Sequence, residues 1–396
     1  MKYIEIEPLN RETTDSDCVR RCRIKRIDGD VQVDQTELWF QFDKSIVPPE
    51  DNDCDSYLLA VIMDAMKEER DVIVKGEVSK QLLSNLVEYQ VAWYKWLPDL
   101  YSYINISAES IRDNSTPVSG AICAFSGGVD ATFSVWRHSQ AKFSHRSQDI
   151  KLCSIVHGFD IPLREETSFN NASKRAQETL KDIQLKLVPI KTNYREITTV
   201  NWEHAFSCVL VAVLSNFKKV AGTCIVGSSE PYDSLVIPWG SSPITDPLLT
   251  SGDFHVIHDG ASHNRTEKVK EICDWKVGIE NLRVCWQGDL KDRNCGKCEK
   301  CVRTKLNFLA TGNPIPICFP DSNILDDIKE ITLPNEAVRG EWRQIYEYAN
   351  KNEVKDSWVG QLRRTLNKKS LIDKILPKGS PQREIVKNLT RKISGR

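Results

Sequence analysis

Ala121-Ile-Cys-Ala-Phe-Ser-Gly-Gly-Val-Asp-Ala-Thr132 decides the reading of this chain. Ala121 to Phe125 are apolar or small and read as a short buried strand. Ser126, Gly127, Gly128, Val129 and Asp130 then form a tight loop, and a helix is expected from Thr132, carrying Phe133, Val135 and Trp136. Strand, glycine loop and helix start together make an anion site. Glycines let backbone N–H groups approach a phosphate with no side chain in the way. The helix N-terminus adds partial positive charge. Ser126 and Thr132 supply hydroxyls, and Asp130 is a candidate ligand for Mg2+ facing the phosphates. Neither G-x-x-x-x-G-K-[ST] nor G-x-G-x-x-G is present, so the two commoner phosphate loops are set aside.

Outward from this stretch the chain changes character. After residue 121, strands alternate with helices: Leu152–Val156, Leu187–Ile190, Cys224–Val226 and Leu282–Cys285 read as strands, and Ala172–Leu185 and Trp202–Phe217 as helices. That alternation implies an α/β fold with a doubly wound, mostly parallel sheet. Ligands in such sheets bind beyond the carboxyl ends of the strands. His157, Gly158, Phe159 and Asp160 therefore join the loop as candidate nucleotide-binding residues. The run from 227 to 265 is long, polar and aromatic, and suits a flat polar ligand stacked on Tyr232 or Trp239. Arg265 and Lys268, at the start of a further helix, either face ATP phosphates or a substrate carboxylate, or form a solvated face.

Residues 1–115 read as a separate small α/β domain, with a strand at Glu37–Phe42, a buried helix at Tyr57–Met66, and a strand at Asp71–Lys75 ended by Gly76. A helix over Val78–Leu97 has Ser79 as its cap. Residues 113–120 read as a linker, 120–310 as the nucleotide-binding domain and 311–396 as a helical, basic C-terminal region. From Gln361 onward, Arg363, Arg364, Lys368, Lys369, Lys374 and further basic residues interleave with leucines and isoleucines. This is either an amphipathic helix that meets nucleic acid or an acidic partner, or a solvated helical face packed on its apolar side. No aromatic residue lies in the tail, so any nucleic-acid contact would be to phosphates.

The 396 residues carry a net charge of −1, with 40% hydrophobic and 28% charged residues, so global charge points to no polyanionic partner. No run of about 18 apolar residues occurs and the opening residues lack a signal peptide's core. Thirteen cysteines, an odd number, mostly sit singly in apolar segments. A reducing, cytoplasmic, membrane-free setting is expected.

Four of those cysteines form the second strong signal. Cys285, Cys295, Cys298 and Cys301 are spaced C-x9-C-x2-C-x2-C. Tight turns bring thiolates to about 2.3 Å from one ion, so a structural Zn2+ site is expected. An iron–sulfur cluster and a redox or persulfide-carrying role are the alternatives, although the x3-C-P continuation of ferredoxin runs is absent.

The Ser126–Thr132 loop resembles the PP-loop, S-G-G-x-D-[ST], of the ATP pyrophosphatase superfamily. With Cys285, Trp286, Gly288, Cys295, Gly296, Cys298, Cys301 and Arg303, residues 120–310 resemble the 7-cyano-7-deazaguanine synthase (QueC) family of queuosine biosynthesis. The resemblance implies a Rossmann-like core of the adenine nucleotide alpha hydrolase type and a C–N ligase. Such an enzyme uses ATP and Mg2+ to adenylylate 7-carboxy-7-deazaguanine or a similar deazapurine carboxylate, captures it with ammonia, and has a structural zinc near the substrate pocket. Ala131 departs from the loop motif, and His157-Gly-Phe-Asp160 stands where the family has Asp-Tyr-Gly-Gln. Larger relatives of this kind occur in antiviral defence operons, which implies an acceptor amine on a partner protein; a homodimer is the expected assembly. Two other readings stand beside it: a tRNA-modifying PP-loop enzyme, and a non-catalytic scaffold with a decayed loop.

Overall fold

The computed structural model describes residues 2–142, 144–285 and 287–368. Its centre is one ten-stranded, mostly parallel sheet. The N-terminal segment supplies β1 (Lys2–Thr13), β2 (Asp17–Asp28), β3 (Val31–Asp43), α1 (Asp55–Glu68), β4 (Asp71–Ser79), α2 (Lys80–Trp96) and β5 (Ile106–Arg112). The next segment supplies β6 (Ala121–Ala124), α3 (Val129–Ser139), β7 (Ile150–His157), α4 (Glu166–Asp182), β8 (Leu187–Thr192), α5 (Tyr194–Ile197) and α6 (Trp202–Leu214). It continues with β9 (Thr223–Gly227), β10 (His255–Asp259), α7 (Arg265–Ile272) and α8 (Lys276–Glu280).

The strand order is β10-β9-β6-β7-β8-β3-β2-β1-β4-β5. The chain runs outward from β6 through β7 to β8, then returns to the other side of β6 for β9 and β10. All four pairings in this half are parallel. The order therefore reverses between β6 and β9, the kind of switch point at which open α/β sheets bind ligands. Side chains alternate across β6: Ile122 joins the core beneath α6, and Cys123 and Phe125 join the core beneath α3 and α4. A strand buried on both faces has to read as a nearly continuous apolar run, as Ala121–Phe125 does.

Residues 1–115 share this sheet. β3 pairs antiparallel with β8 at Phe40↔Thr192, Gln41↔Lys191 and Phe42↔Ile190. The apolar core runs without a break from Ile4 and Phe40 to Val209 and Val213. This explains why α1 is apolar over nearly its whole circumference. Every residue from Tyr57 to Met66 is buried, and Cys208 of α6 donates to the Leu59 carbonyl at 3.0 Å. A helix enclosed on all sides has no solvated face, and its buried carboxylates are hydrogen-bonded instead, Asp55 from the Ser79 N–H and Asp64 from the Thr198 hydroxyl.

Several local expectations are corrected. β4 continues through Gly76 to Ser79; a Cβ at Gly76 would lie 2.6 Å from Cys54 Sγ, so the glycine marks a close approach rather than a strand end. Leu282–Cys285 is not a strand, because its N–H groups are bonded to Gly127 and to the Asn294 side chain. The fifth strand of this half is β10, inside the run expected to be irregular. Helix α3 begins at Val129, three residues before Thr132.

The described chain separates into two compact units, one of residues 1–295 with 316–320, the other of 296–315 with 321 onward. The second unit is helical: α9 (Glu299–Ala310), α10 (Ile324–Glu330), α11 (Glu336–Lys351) and α12 (Ser357–Asn367). Val302, Leu306, Ile328, Trp342, Trp358 and Leu362 form its core. Trp342 Nε1 donates to Glu299 Oε1 at 2.6 Å, and Arg303 pairs with Glu299 and Glu341. In α12, Leu362 is buried and Arg363 and Arg364 are exposed, a solvated face over an apolar side. The basic tail beyond Lys368, including Lys369 and Lys374, lies outside the described residues.

Candidate functional site

β6 ends at Ala124, and the chain turns through Ser126 and Gly127 into α3. Gly127 has φ +79°, a conformation that disfavours any side chain, and Gly128 is the residue that caps α3. The first-turn N–H groups of α3 have no intrahelical acceptor, as at any helix start, and point out of the loop. Arg283 ties this loop from outside: its N–H donates to the Gly127 carbonyl at 2.8 Å and its Nε to the Ser126 carbonyl at 3.2 Å. Gly227, at the end of β9, admits the first turn of α3; a Cβ there would sit 3.3 Å from the Asp130 backbone.

Beyond the carboxyl ends of β6 and β7 opens a cleft of about 210 Å³. Ser126, Phe159, Asp160 and Arg283 line it, with Ala124, Ser154 and Val156 below. Trp202, Phe206 and Leu210 of α6 form its wall. Phe159 meets Trp202 edge-on with centroids 4.7 Å apart, and the Arg195 guanidinium lies 4.7 Å over the Trp202 ring. The aromatic wall thus comes from α6 and the β7 end. Of the two residues expected to stack a ligand, Trp239 touches Phe206 edge-on at 5.9 Å and Tyr232 is exposed; neither lines the cleft.

The candidate residues divide into groups. Ser126, Phe159 and Asp160 line the cleft. His157 supports it from beneath: its ring stacks on Phe169 at 4.2 Å, its Nε2 lies 3.0 Å from the Pro162 carbonyl, and burial pushes its pKa below the usual histidine value. Gly158 has φ +100°, and a Cβ there would run into the Thr192 carbonyl. Val129 is buried, and Ala131 packs on the core beneath α4. Thr132 is buried, and its Oγ1 has no partner among the described residues.

Asp130, Arg265 and Lys268 form a second group, off the cleft lining. Arg265 Nη2 donates to Asp130 Oδ2 at 2.7 Å, and Lys268 Nζ to Asp130 Oδ1 at 3.0 Å and to the Ser228 carbonyl at 2.5 Å. Asn264 and Glu267 make a capping box that sets the start of α7 and so places both cations. Each Asp130 oxygen is therefore already held by a cation. Mg2+ at this carboxylate would have to displace Arg265 or Lys268, so Asp130 does not fit the role of a ready metal ligand.

The four cysteines of the C-x9-C-x2-C-x2-C run converge. The Sγ atoms of Cys285, Cys295, Cys298 and Cys301 lie within 4.8 Å of one another. Four thiolates around zinc at ~2.3 Å stand about 3.8 Å apart, so this set could hold a metal such as zinc. Gly296, with φ +79°, makes the turn between Cys295 and Cys298, and a Cβ at Gly288 would press on Cys295 Cβ at 3.0 Å. Asn294 braces the approach: its Oδ1 accepts from the Val284 and Cys285 N–H groups at 2.9 and 3.3 Å. Its Nδ2 donates to the Leu282 and Cys318 carbonyls at 2.8 and 3.1 Å. Arg283, Asn294, Trp202 and Phe206 are the residues that motif reading passed over. Arg283 and Asn294 each sit close in sequence to a cysteine ligand, and that adjacency is the one signal that could have found them.

No protein-family model, no curated protein and no solved structure matches this chain. Among the described residues no helix is long and apolar enough to cross a membrane.

Proposed function

We propose that this chain is an ATP-dependent ligase of the PP-loop type, acting on a planar heteroaromatic carboxylate such as 7-carboxy-7-deazaguanine. The observation that carries this reading is the β6–Ser126-Gly127-Gly128–α3 turn at the reversal of strand order, opening on a cleft walled by Phe159, Trp202 and Phe206. A glycine loop at a helix start suits phosphates, and an aromatic wall suits a flat ring. The second support is the four-cysteine cluster that follows, which in this reading holds structural zinc.

In the proposed reaction a substrate carboxylate oxygen attacks the α-phosphorus of ATP. The bond from that phosphorus to the bridging oxygen breaks, and pyrophosphate leaves. Ammonia, or an amine of a partner protein, then attacks the acyl carbon, the acyl–phosphate C–O bond breaks so that AMP leaves, and the nitrogen gives up one proton to solvent to leave the amide. The loop amides and the Ser126 hydroxyl would stabilise charge on the departing pyrophosphate, an electrostatic task that needs donors fixed in advance. Arg265 and Lys268 are assigned to hold Asp130 and, through it, the first turn of α3. Mg2+ would accompany ATP, without Asp130 as its ready ligand.

The test is mass spectrometry of purified protein with Mg-ATP and 7-carboxy-7-deazaguanine, with and without ammonia. Substrate-dependent AMP and pyrophosphate with an amide or nitrile product are expected. AMP that yields a product only when a partner protein is supplied would identify a protein amine as acceptor. No AMP, from protein that is folded and zinc-loaded, would overturn the ligase reading.

A further inference from the structure

Arg283 is a buried cation without a counter-charge in contact among the described residues. Its side chain and backbone are 8% exposed. Nε donates to the Ser126 carbonyl and Nη1 to the Lys291 carbonyl at 3.3 Å, both neutral acceptors. Nη2 has no hydrogen-bond partner among the described residues and is not fully enclosed, and Arg283 lines the cleft. Asp160 also lines that cleft; it is not within ion-pair distance of Arg283, and its charge offsets only part of what burial costs the guanidinium, whose pKa stays below the usual arginine value.

A guanidinium removed from water is costly to leave unpaired. Its fork matches two oxygens of a carboxylate or phosphate, and such bidentate bonds are both stronger and more selective than neutral ones. The backbone and Nε bonds to the 126–127 loop hold that fork in one orientation, so little is lost in ordering it. Across the cleft stand the Phe159 and Trp202 rings, whose faces and edges accept a flat ring.

We propose that Arg283 is the oxyanion-binding residue of this cleft, clamping the carboxylate or phosphate of a planar heteroaromatic ligand whose ring lies against Phe159 and Trp202. The proposal rests on the ligase reading for the choice of probes, and on geometry alone for the clamp. The oxyanion has two possible sources, the substrate's ring carboxylate or a nucleotide phosphate, and paired ligands separate them.

Calorimetric titration supplies the test, with no turnover needed. The pairs are 7-carboxy-7-deazaguanine against 7-cyano-7-deazaguanine, and AMP against adenosine; within each pair only the oxyanion changes. The wild-type protein is expected to prefer the acid of at least one pair, and the pair that shows the preference names the source. Arg283→Met should weaken that acid about 10- to 100-fold, the loss of a charge-assisted hydrogen bond, and leave its neutral partner unchanged. Trp202→Ala should weaken both members alike. Zinc content and unfolding midpoint control for folding; if Arg283→Met does not fold, Arg283→Lys replaces it, keeps the charge without the fork, and should show a reduced preference. No preference for either acid in the wild type, or a preference untouched in a folded Arg283 variant, would overturn the clamp. A clamp that passes in a protein that forms no AMP would refute the ligase reading and leave the anion site standing.

Discussion

Lys268 Nζ stands 3.0 Å from Asp130 Oδ1, and the Lys268 side chain has no solvent exposure. The carboxylate that a motif reading assigns to metal is, in the fold, the counter-charge of a buried lysine. Removing one partner of a buried pair leaves the other charge in a poor medium. Asp130→Ala is expected to destabilise the protein by about 3 kcal/mol, and Asp130→Asn, which still offers Lys268 an acceptor, by less. Denaturant midpoints of the two variants decide it, and midpoints equal to wild type would refute the structural role. Any activity lost in Asp130→Ala has to be scored per folded molecule.

Asp64 sits under α5 and titrates high. Burial pushes it up to about 6, against the Thr198 hydroxyl at 2.9 and 3.0 Å and the Thr199 N–H, which hold it down. Its folded value lies above the unfolded one, so its stabilising contribution is complete below about pH 4 and is lost as pH rises through about 6. Asp64→Asn mimics the protonated form. The variant should exceed wild type in stability above pH 6 by roughly 3 kcal/mol, since each tenfold change in proton affinity is worth about 1.4 kcal/mol, and the difference should vanish near pH 4. Urea unfolding at pH 4, 6 and 8 measures this; Asp55, also pushed up to about 6 by burial, cancels in the comparison.

The cysteine cluster makes a compositional prediction. Purified protein should hold one zinc per chain, and Co2+ exchanged into it should show thiolate-to-cobalt charge transfer. Cys301→Ser should abolish binding. Asn294→Ala leaves two buried N–H groups beside Cys285 without an acceptor, at about 1–3 kcal/mol each, and should release zinc to a chelator faster than wild type. Wild-type release rates in that variant would remove Asn294 from the site.

Two glycines should fail for different reasons. Gly127→Ala meets no backbone atom nearer than 3.6 Å, so its cost is the φ of +79° alone, about 1–2 kcal/mol. Gly158→Ala collides with the Thr192 carbonyl as well, and should lower the unfolding midpoint much further. Equal midpoints would contradict the geometry.

The strands β6 to β9, the helices between them, the turn at Ser126-Gly127-Gly128 and the four cysteines were all legible in the residues. Each is a local signal: an apolar run, a helical period, a glycine pair, a ligand spacing. What a strand pairs with is a different matter. β1 and β2 carry charge on one face, and Arg21, Arg23 and Lys25 satisfy it across the ladder with Glu12, Glu7 and Glu5. Their alternation predicts strands but names no neighbour. That residues 1–115 extend the same sheet depends on three residue pairs between β3 and β8, more than 140 positions apart.

The site divides along the same line. Residue order alone determined that a glycine turn precedes a helix and that four thiols can converge, because turn and ligand geometry are set over a few bonds. Only the tertiary structure decided that Asp130 is neutralised by Lys268, that Arg283 braces the loop and lines the cleft, and that the aromatic wall comes from α6. These depend on which distant side chains burial brings together, and on the energy of leaving a charge without a partner, which no local pattern records.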